Sequence, residues 1–205
     1  MTSPVTTVVF DIGNVLIEWD PEHLYRKLIP DADARQRFLT DICSPAWNLE
    51  QDRGRSWAEA VAERVALYPE YADLIRAYDE GWHEMVPGEV PGSVALLGEL
   101  VEGDVPLYAI TNFSSEKFTE AKARFPFLET SFRDTVVSAE ERLLKPDPRI
   151  YEVLLERNAL TAEACVFIDD SLKNVEGARA VGMAAIHFTG AQPLRLELRR
   201  MGFRV

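Results

Sequence analysis

Asp11, the pair Thr111-Asn112, Lys145, and the pair Asp169-Asp170 with Asn174 four residues on are the side chains whose types could together handle a phosphate ester. Such an ester is anionic, so a nucleophile approaches it against repulsion, and a metal ion with fixed donors must hold its oxygens. A carboxylate is a competent nucleophile for that task and passes through an aspartyl-phosphate. Thr111 and Asn112 offer a hydroxyl and an amide, with the backbone N–H groups leading into the next helix as further donors. Lys145 is a point charge in a loop stiffened by Pro146 and Pro148, placed to neutralise nucleophile and phosphate alike. Asp169 and Asp170 are adjacent acids that repel one another, and a divalent cation is a common relief. Taken singly, each has an ordinary alternative: a turn or cap residue for Asp11, a helix cap for Thr-Asn, capping for the Asp pair.

Their placement links them. Four short apolar runs, Thr6–Phe10, Pro106–Ile110, Ala164–Ile168 and Ala184–Phe188, are too uniformly apolar for surface strands and fit strands covered on both faces. Thr135–Val137 is a weaker fifth candidate. Helical patterns over Ser93–Val101, Ser115–Arg124, Pro148–Asn158 and Asn174–Val181 alternate with them. Strand alternating with helix predicts right-handed crossovers and a parallel α/β sheet, whose ligands bind beyond the carboxyl ends of the strands. Asp11, Thr111-Asn112 and Asp169-Asp170 each follow such a run.

From about Trp19 to Pro87 no buried strand is legible. Helical periodicity, punctuated by Pro30, Pro45 and Pro69, predicts a four-helix insertion after the first strand, with Pro87, Gly88, Pro91 and Gly92 marking the return. Trp47, Asn48, Glu50, Asp52 and Arg53 form a polar and aromatic cluster before Gly54, suited to the hydroxyls of a sugar substrate, or an ordinary interhelical turn. Trp19 and His23 lie near the first crossing, while Trp57, Tyr78 and Trp82 recur at helical spacing as core of the insertion.

In order and spacing, Asp11, Thr111-Asn112, Lys145-Pro-Asp-Pro and Asp169-Asp170-Ser…Asn174 resemble the four motifs of the haloacid dehalogenase-like (HAD) hydrolase superfamily. The core resemblance covers residues 5–18 and 90–190. It implies a Rossmann-like core (1–18 and 88–205) with a mobile helical cap (19–87), and an enzyme that hydrolyses small phosphomonoesters. It further implies Asp11 as nucleophile and Thr111, Asn112 and Lys145 on phosphate. Mg2+ would be held by Asp11, the Gly13 carbonyl, Asp169 and Asp170, with Asn174 in support.

One position departs from that pattern. Family phosphatases usually carry a general acid two residues after the nucleophile, and here that residue is Gly13. Losing such an acid typically costs about 10²–10⁴-fold in rate. The run Phe10-Asp-Ile-Gly-Asn-Val-Leu-Ile is similar to the branch containing α-D-glucose-1-phosphate phosphatase, which implies a sugar 1-phosphate whose leaving group needs little protonation. The alternatives are a phosphate-ligand-binding protein with little turnover, or a 2-haloacid dehalogenase; the paired acids count against the latter.

Composition bounds the partners. A net charge of −12 over 205 residues argues against nucleic acid as the main partner and does not exclude a small anionic substrate; the resemblance implies a small phosphorylated metabolite as partner. Two cysteines, an N-terminus without a basic leader and no long apolar run predict a cytoplasmic chain without disulfides or membrane spans.

Overall fold

The computed structural model describes residues 4–205, and its centre is a five-stranded parallel sheet. The strands are β1 (Thr7–Phe10), β2 (Leu107–Thr111), β3 (Thr135–Val137), β4 (Cys165–Asp169) and β5 (Ala184–His187), ordered β3-β2-β1-β4-β5. β1 pairs with β2 on one side and β4 on the other, with Phe10 opposite Ala109 and Ile168. The chain order reverses at β1, so the crevice beyond its carboxyl end lies at the topological switch point.

Side-chain alternation divides the core into two layers. Val8 and Phe10 point into one apolar layer with Leu96, Leu100, Phe118, Leu194 and Leu198, from helices Ser93–Glu102, Ser115–Arg124 and Ala191–Arg200. Val9 points into the other with Ile110, Phe167, Ile150, Tyr151 and Leu154, the last three from helix Pro148–Arg157. Coverage on both faces explains why these strands read as unbroken apolar runs.

The segment between β1 and β2 is helical, in more pieces than the four expected. Among the described residues it holds helices Glu22–Leu28, Ala32–Arg37, Pro45–Asp52, Trp57–Leu67, Ala72–Glu80 and Trp82–Met85, plus a π turn at Phe38–Ile42 and a 3₁₀ turn at Pro69–Tyr71. Its prolines start elements rather than only ending them. Pro45 opens its helix after a Ser44 cap, where its missing N–H costs nothing, and Pro69 opens the 3₁₀ turn. Two crossings join this segment to the sheet and lie side by side, held by Glu18 N–H to Gly88 O (2.9 Å) and Val90 N–H to Leu16 O (2.9 Å).

Candidate active site

Asp11 is the first residue past β1, 7% exposed, with Oδ1 accepting its neighbour's Ile12 N–H at 2.6 Å. A tight turn follows, in which Leu16 and Ile17 N–H both bond Ile12 O. Asn14 takes the left-handed conformation there (φ 54°), which asparagine tolerates, and its side chain accepts the Trp19 N–H at 2.9 Å. The turn returns the chain beneath the cavity and leaves Gly13 and Asn14 on its wall.

Lys145 reaches this point from the loop before helix Pro148–Arg157. Its Nζ lies 2.8 Å from Asp11 Oδ1 and 2.7 Å from Asp169 Oδ2, with the lysine 4% exposed. Asn112 pins that loop from both sides: its Oδ1 accepts the Lys145 N–H (2.8 Å) and its Nδ2 donates to Lys145 O (3.2 Å). Gly177 allows helix Leu172–Ala180 to press against the same loop. A Cβ at this position would stand 2.9 Å from both Pro146 Cβ and Pro146 O.

Asp169 ends β4 fully buried and fully engaged. It accepts from Lys145, from Ser171 N–H (2.8 Å) and from Asn174 Nδ2 (3.0 and 3.1 Å). Asn174 therefore orients Asp169. Asp170 faces the cavity, and its carbonyl meets His187 Nε2 at 2.9 Å. Asp11, Asp169 and Asp170 each offer a carboxylate oxygen within 4.8 Å of the others, with Lys145 bonded to Asp11 and Asp169.

The electrostatics follow from this surplus of negative charge. Burial pushes the Asp11 carboxyl up to about 8; Lys145 opposes the shift and Asp169 adds to it. Burial and then Asp169 likewise raise Asp170. Burial works against the Lys145 charge, yet Asp11 and Asp169 hold its pKa above the ordinary lysine value. Three carboxylates against one ammonium make an oxygen-rich, anionic pocket of the hard-donor kind that magnesium takes.

Above the acids lies a cavity of about 180 Å³, sized for a small molecule. Ile17, Trp19, Trp57, Trp82, Val86 and Phe113 form its apolar wall; Asn48, Asp52, Ser114 and Lys117 are polar members. Trp57 binds across to the sheet side through Nε1–H to Ser114 Oγ (2.9 Å). Lys117 is tied to Asp79 and Glu120, each at 2.7 Å.

The residues expected to contact substrate lie at different depths around this cavity. Trp47 is 3% exposed and packs edge-on to Trp57 and Tyr78, away from the cavity. Glu50 and Arg53 are exposed and face one another at 3.8 Å. Asn48 does reach the wall, one helical turn before Asp52 on the same face. Thr111 is buried at the end of β2 and is not a wall residue. One of the loop N–H groups expected for phosphate has a protein partner, Phe113 N–H binding Ser138 Oγ (2.9 Å), and the Ser114 N–H faces the Asp52 carboxyl. Trp57 and Trp82, expected as core, are both buried and wall-forming. Asp52, named in the polar cluster of the insertion, lines the wall; that Lys117 and Trp57 do so is not legible in the sequence, because a wall is set by helix phase against the sheet.

A family model described as haloacid dehalogenase-like hydrolase matches residues 5–182. Among curated relatives, the sesquiterpene phosphatase astK of Aspergillus oryzae is 27% identical over 98% of both chains. Among solved structures, a HAD family enzyme from Bacteroides thetaiotaomicron in complex with magnesium and inorganic phosphate superposes with a TM-score of 0.72. It is 22% identical, over 91% of this chain and 95% of that one. The L-2-haloacid dehalogenase of Xanthobacter autotrophicus gives 0.62 at 18% identity, over 98% and 85%.

Proposed function

The chain belongs to the haloacid dehalogenase-like hydrolase family, and on that footing we propose that it is a magnesium-dependent phosphatase of small phosphomonoesters. The observation that carries this reading is the convergence of three carboxyl groups, Asp11 and Asp170 lining the cavity and Asp169 buried behind them, with the Lys145 ammonium bridging Asp11 and Asp169. Asp11, Asp170 and the Gly13 carbonyl would hold the ion, with Asp169 oriented behind them by Asn174. Bound there, Mg2+ supplies positive charge to the phosphate oxygens. A dehalogenase, whose substrate lacks that cluster of charge, has no need of the paired acids.

Asp11 is the nucleophile. Lys145 holds Oδ1, leaving Oδ2 to attack phosphorus, and opposes the upward shift that burial imposes on the carboxyl. Asn112 contributes by locking the Lys145 backbone. Residues 1–18 and 88–205 act as the catalytic core, and 19–87 as a cap whose Trp57 and Asp52 meet it over the substrate.

The cap selects the leaving group. A sugar 1-phosphate asks for many hydrogen-bonding partners, whereas three tryptophans, Phe113, Ile17 and Val86 dominate this wall. That lining favours an alcohol with an apolar or aromatic body. The relative named as a sesquiterpene phosphatase points the same way. Phosphate release from prenyl, aryl and hexose 1-phosphates, with Mg2+ and with EDTA, tests both parts. Mg2+-dependent release led by the apolar esters is expected; release unaffected by EDTA would overturn the metal role, and a lead for hexose esters would overturn the substrate class.

A further inference from the structure

An apolar alcohol is a poor leaving group and needs a proton as it departs, yet the position two residues after Asp11 is Gly13. A Cβ built there meets nothing within 4 Å, so the space is open and no neighbour has filled it. Another carboxyl faces the same cavity. Asp52, 9% exposed, is the last residue of helix Pro45–Asp52. Asn48 Nδ2 donates to its Oδ2 at 3.1 Å, and the Ser114 N–H faces its carboxyl and favours the anion. Its backbone carbonyl accepts from Ser138 Oγ at 2.5 Å, which ties the helix end to the sheet. Gly54 makes that approach possible, its α-carbon facing Ala139 so closely that a Cβ would stand 2.8 Å from the carbonyl oxygen.

We propose that Asp52 is the acid–base group of this enzyme, donating the proton to the leaving oxygen from the helical segment in place of a residue at position 13. The assignment rests on the phosphatase reading above. Burial raises the Asp52 carboxyl to about 7, opposed by the Ser114 N–H and by Lys145, so it is substantially protonated near neutrality. It ends a helix, where the carbonyl dipoles disfavour an anion. Besides Lys145, the titratable neighbour is Tyr78 from helix Ala72–Glu80, which stays neutral.

The steps balance. Asp11 attacks phosphorus as carboxylate, the bond from phosphorus to the ester oxygen breaks, and its electron pair stays on that oxygen. The oxygen takes the Asp52 proton and leaves as alcohol. Asp52, now ionised, takes a proton from water as the water oxygen attacks the aspartyl-phosphate. The bond from phosphorus to Asp11 breaks, giving inorganic phosphate, Asp11 carboxylate and neutral Asp52.

Asp52→Asn keeps the shape and a carbonyl oxygen for the Ser114 N–H, and is compared with the parent protein on an alkyl phosphate and on p-nitrophenyl phosphate. The nitrophenolate leaves without a proton, so the two esters separate acid catalysis from positioning. Expected is a fall in kcat/KM of about 10²–10⁴-fold on the alkyl ester and under about tenfold on the aryl ester. Adding Gly13→Asp to Asp52→Asn is expected to recover alkyl-ester turnover, since that side chain has room. An equal fall on both esters in a folded variant would overturn the acid role and leave the phosphatase reading standing. No phosphate from either ester with the parent protein would overturn both.

Discussion

Lys145 Nζ stands 2.8 Å from Asp11 Oδ1, a buried ion pair in which the lysine also bonds Asp169 at 2.7 Å. Removing one partner of such a group leaves uncompensated buried charge, which costs about 3–5 kcal/mol. Lys145→Ala is therefore expected to lose about 3 kcal/mol in urea unfolding and at least about 10²-fold in kcat/KM. Asp11→Asn removes a buried anion while Lys145 keeps Asp169, so it should abolish turnover while keeping most of the parent's stability. Residual activity in Asp11→Asn comparable with the parent would remove the nucleophile assignment.

Asp170 gives a prediction that needs no substrate. If the acid cluster holds Mg2+ in the folded state alone, the ion stabilises by mass action, about 2.7 kcal/mol at a hundredfold excess over Kd. Thermal unfolding should shift upward with Mg2+ and return with EDTA. In Asp170→Asn the shift should shrink sharply; a full shift in that variant would place the ion elsewhere.

The parts of this site that the sequence made legible are those fixed by strand ends. A run such as Cys165–Ile168, buried on both faces, can expose a side chain only beyond its carboxyl end, so Asp169 and Asp170 had one place to go. Lys145 was legible because two prolines, Pro146 and Pro148, closely follow it. Helix phase in the insertion was not. Along Pro45–Asp52, Trp47 and Gln51 turn into the aromatic core, Asn48 and Asp52 turn to the cavity, and Glu50 and Arg53 turn to solvent. Polar and aromatic types are mixed on all three faces, and only packing against the sheet decides which face meets the cavity. The hydrogen bond that occupies the Phe113 N–H comes from a residue far away in sequence, Ser138, and the Ser114 N–H faces an equally distant one, Asp52.

Gly177 tests how tightly the lysine loop is held. Its φ is ordinary, so the argument is space alone: a methyl would meet Pro146 Cβ and O at 2.9 Å and Tyr151 Oη at 3.0 Å. Gly177→Ala should cost about 1–3 kcal/mol from overpacking. Because Pro146 follows Lys145, kcat should fall as well; a variant with both values unchanged would show that the loop relaxes freely.

Trp57 closes the cavity through one side-chain hydrogen bond to the sheet side, Nε1–H to Ser114 Oγ at 2.9 Å. Trp57→Phe keeps an aromatic wall and deletes that bond, worth about 1 kcal/mol. If the wall acts mainly in substrate binding, KM should rise several-fold with kcat little changed. A fall in kcat with KM unchanged would assign the bond to the transition state instead.

Asp52 links activity to stability with a definite sign. Its folded pKa, about 7, lies above the ordinary aspartate value of 3.8, so between those values the folded protein binds more protons than the unfolded chain. Its contribution is most favourable below about pH 4, where both states are neutral, and declines as pH rises through the window to about 7. Above that the cost of the buried anion is constant. Replacing the carboxyl with an amide removes this dependence, and a tenfold difference in proton affinity between the two states corresponds to about 1.4 kcal/mol. Asp52→Asn should therefore be more stable than the parent at pH 8, by on the order of 1–4 kcal/mol, with the gap closing toward pH 4. Urea unfolding of both proteins at about pH 4.5, 6 and 8 measures the gap directly. A gap independent of pH would mean that Asp52 is ionised throughout, and an anion at neutral pH could not serve as the proton donor.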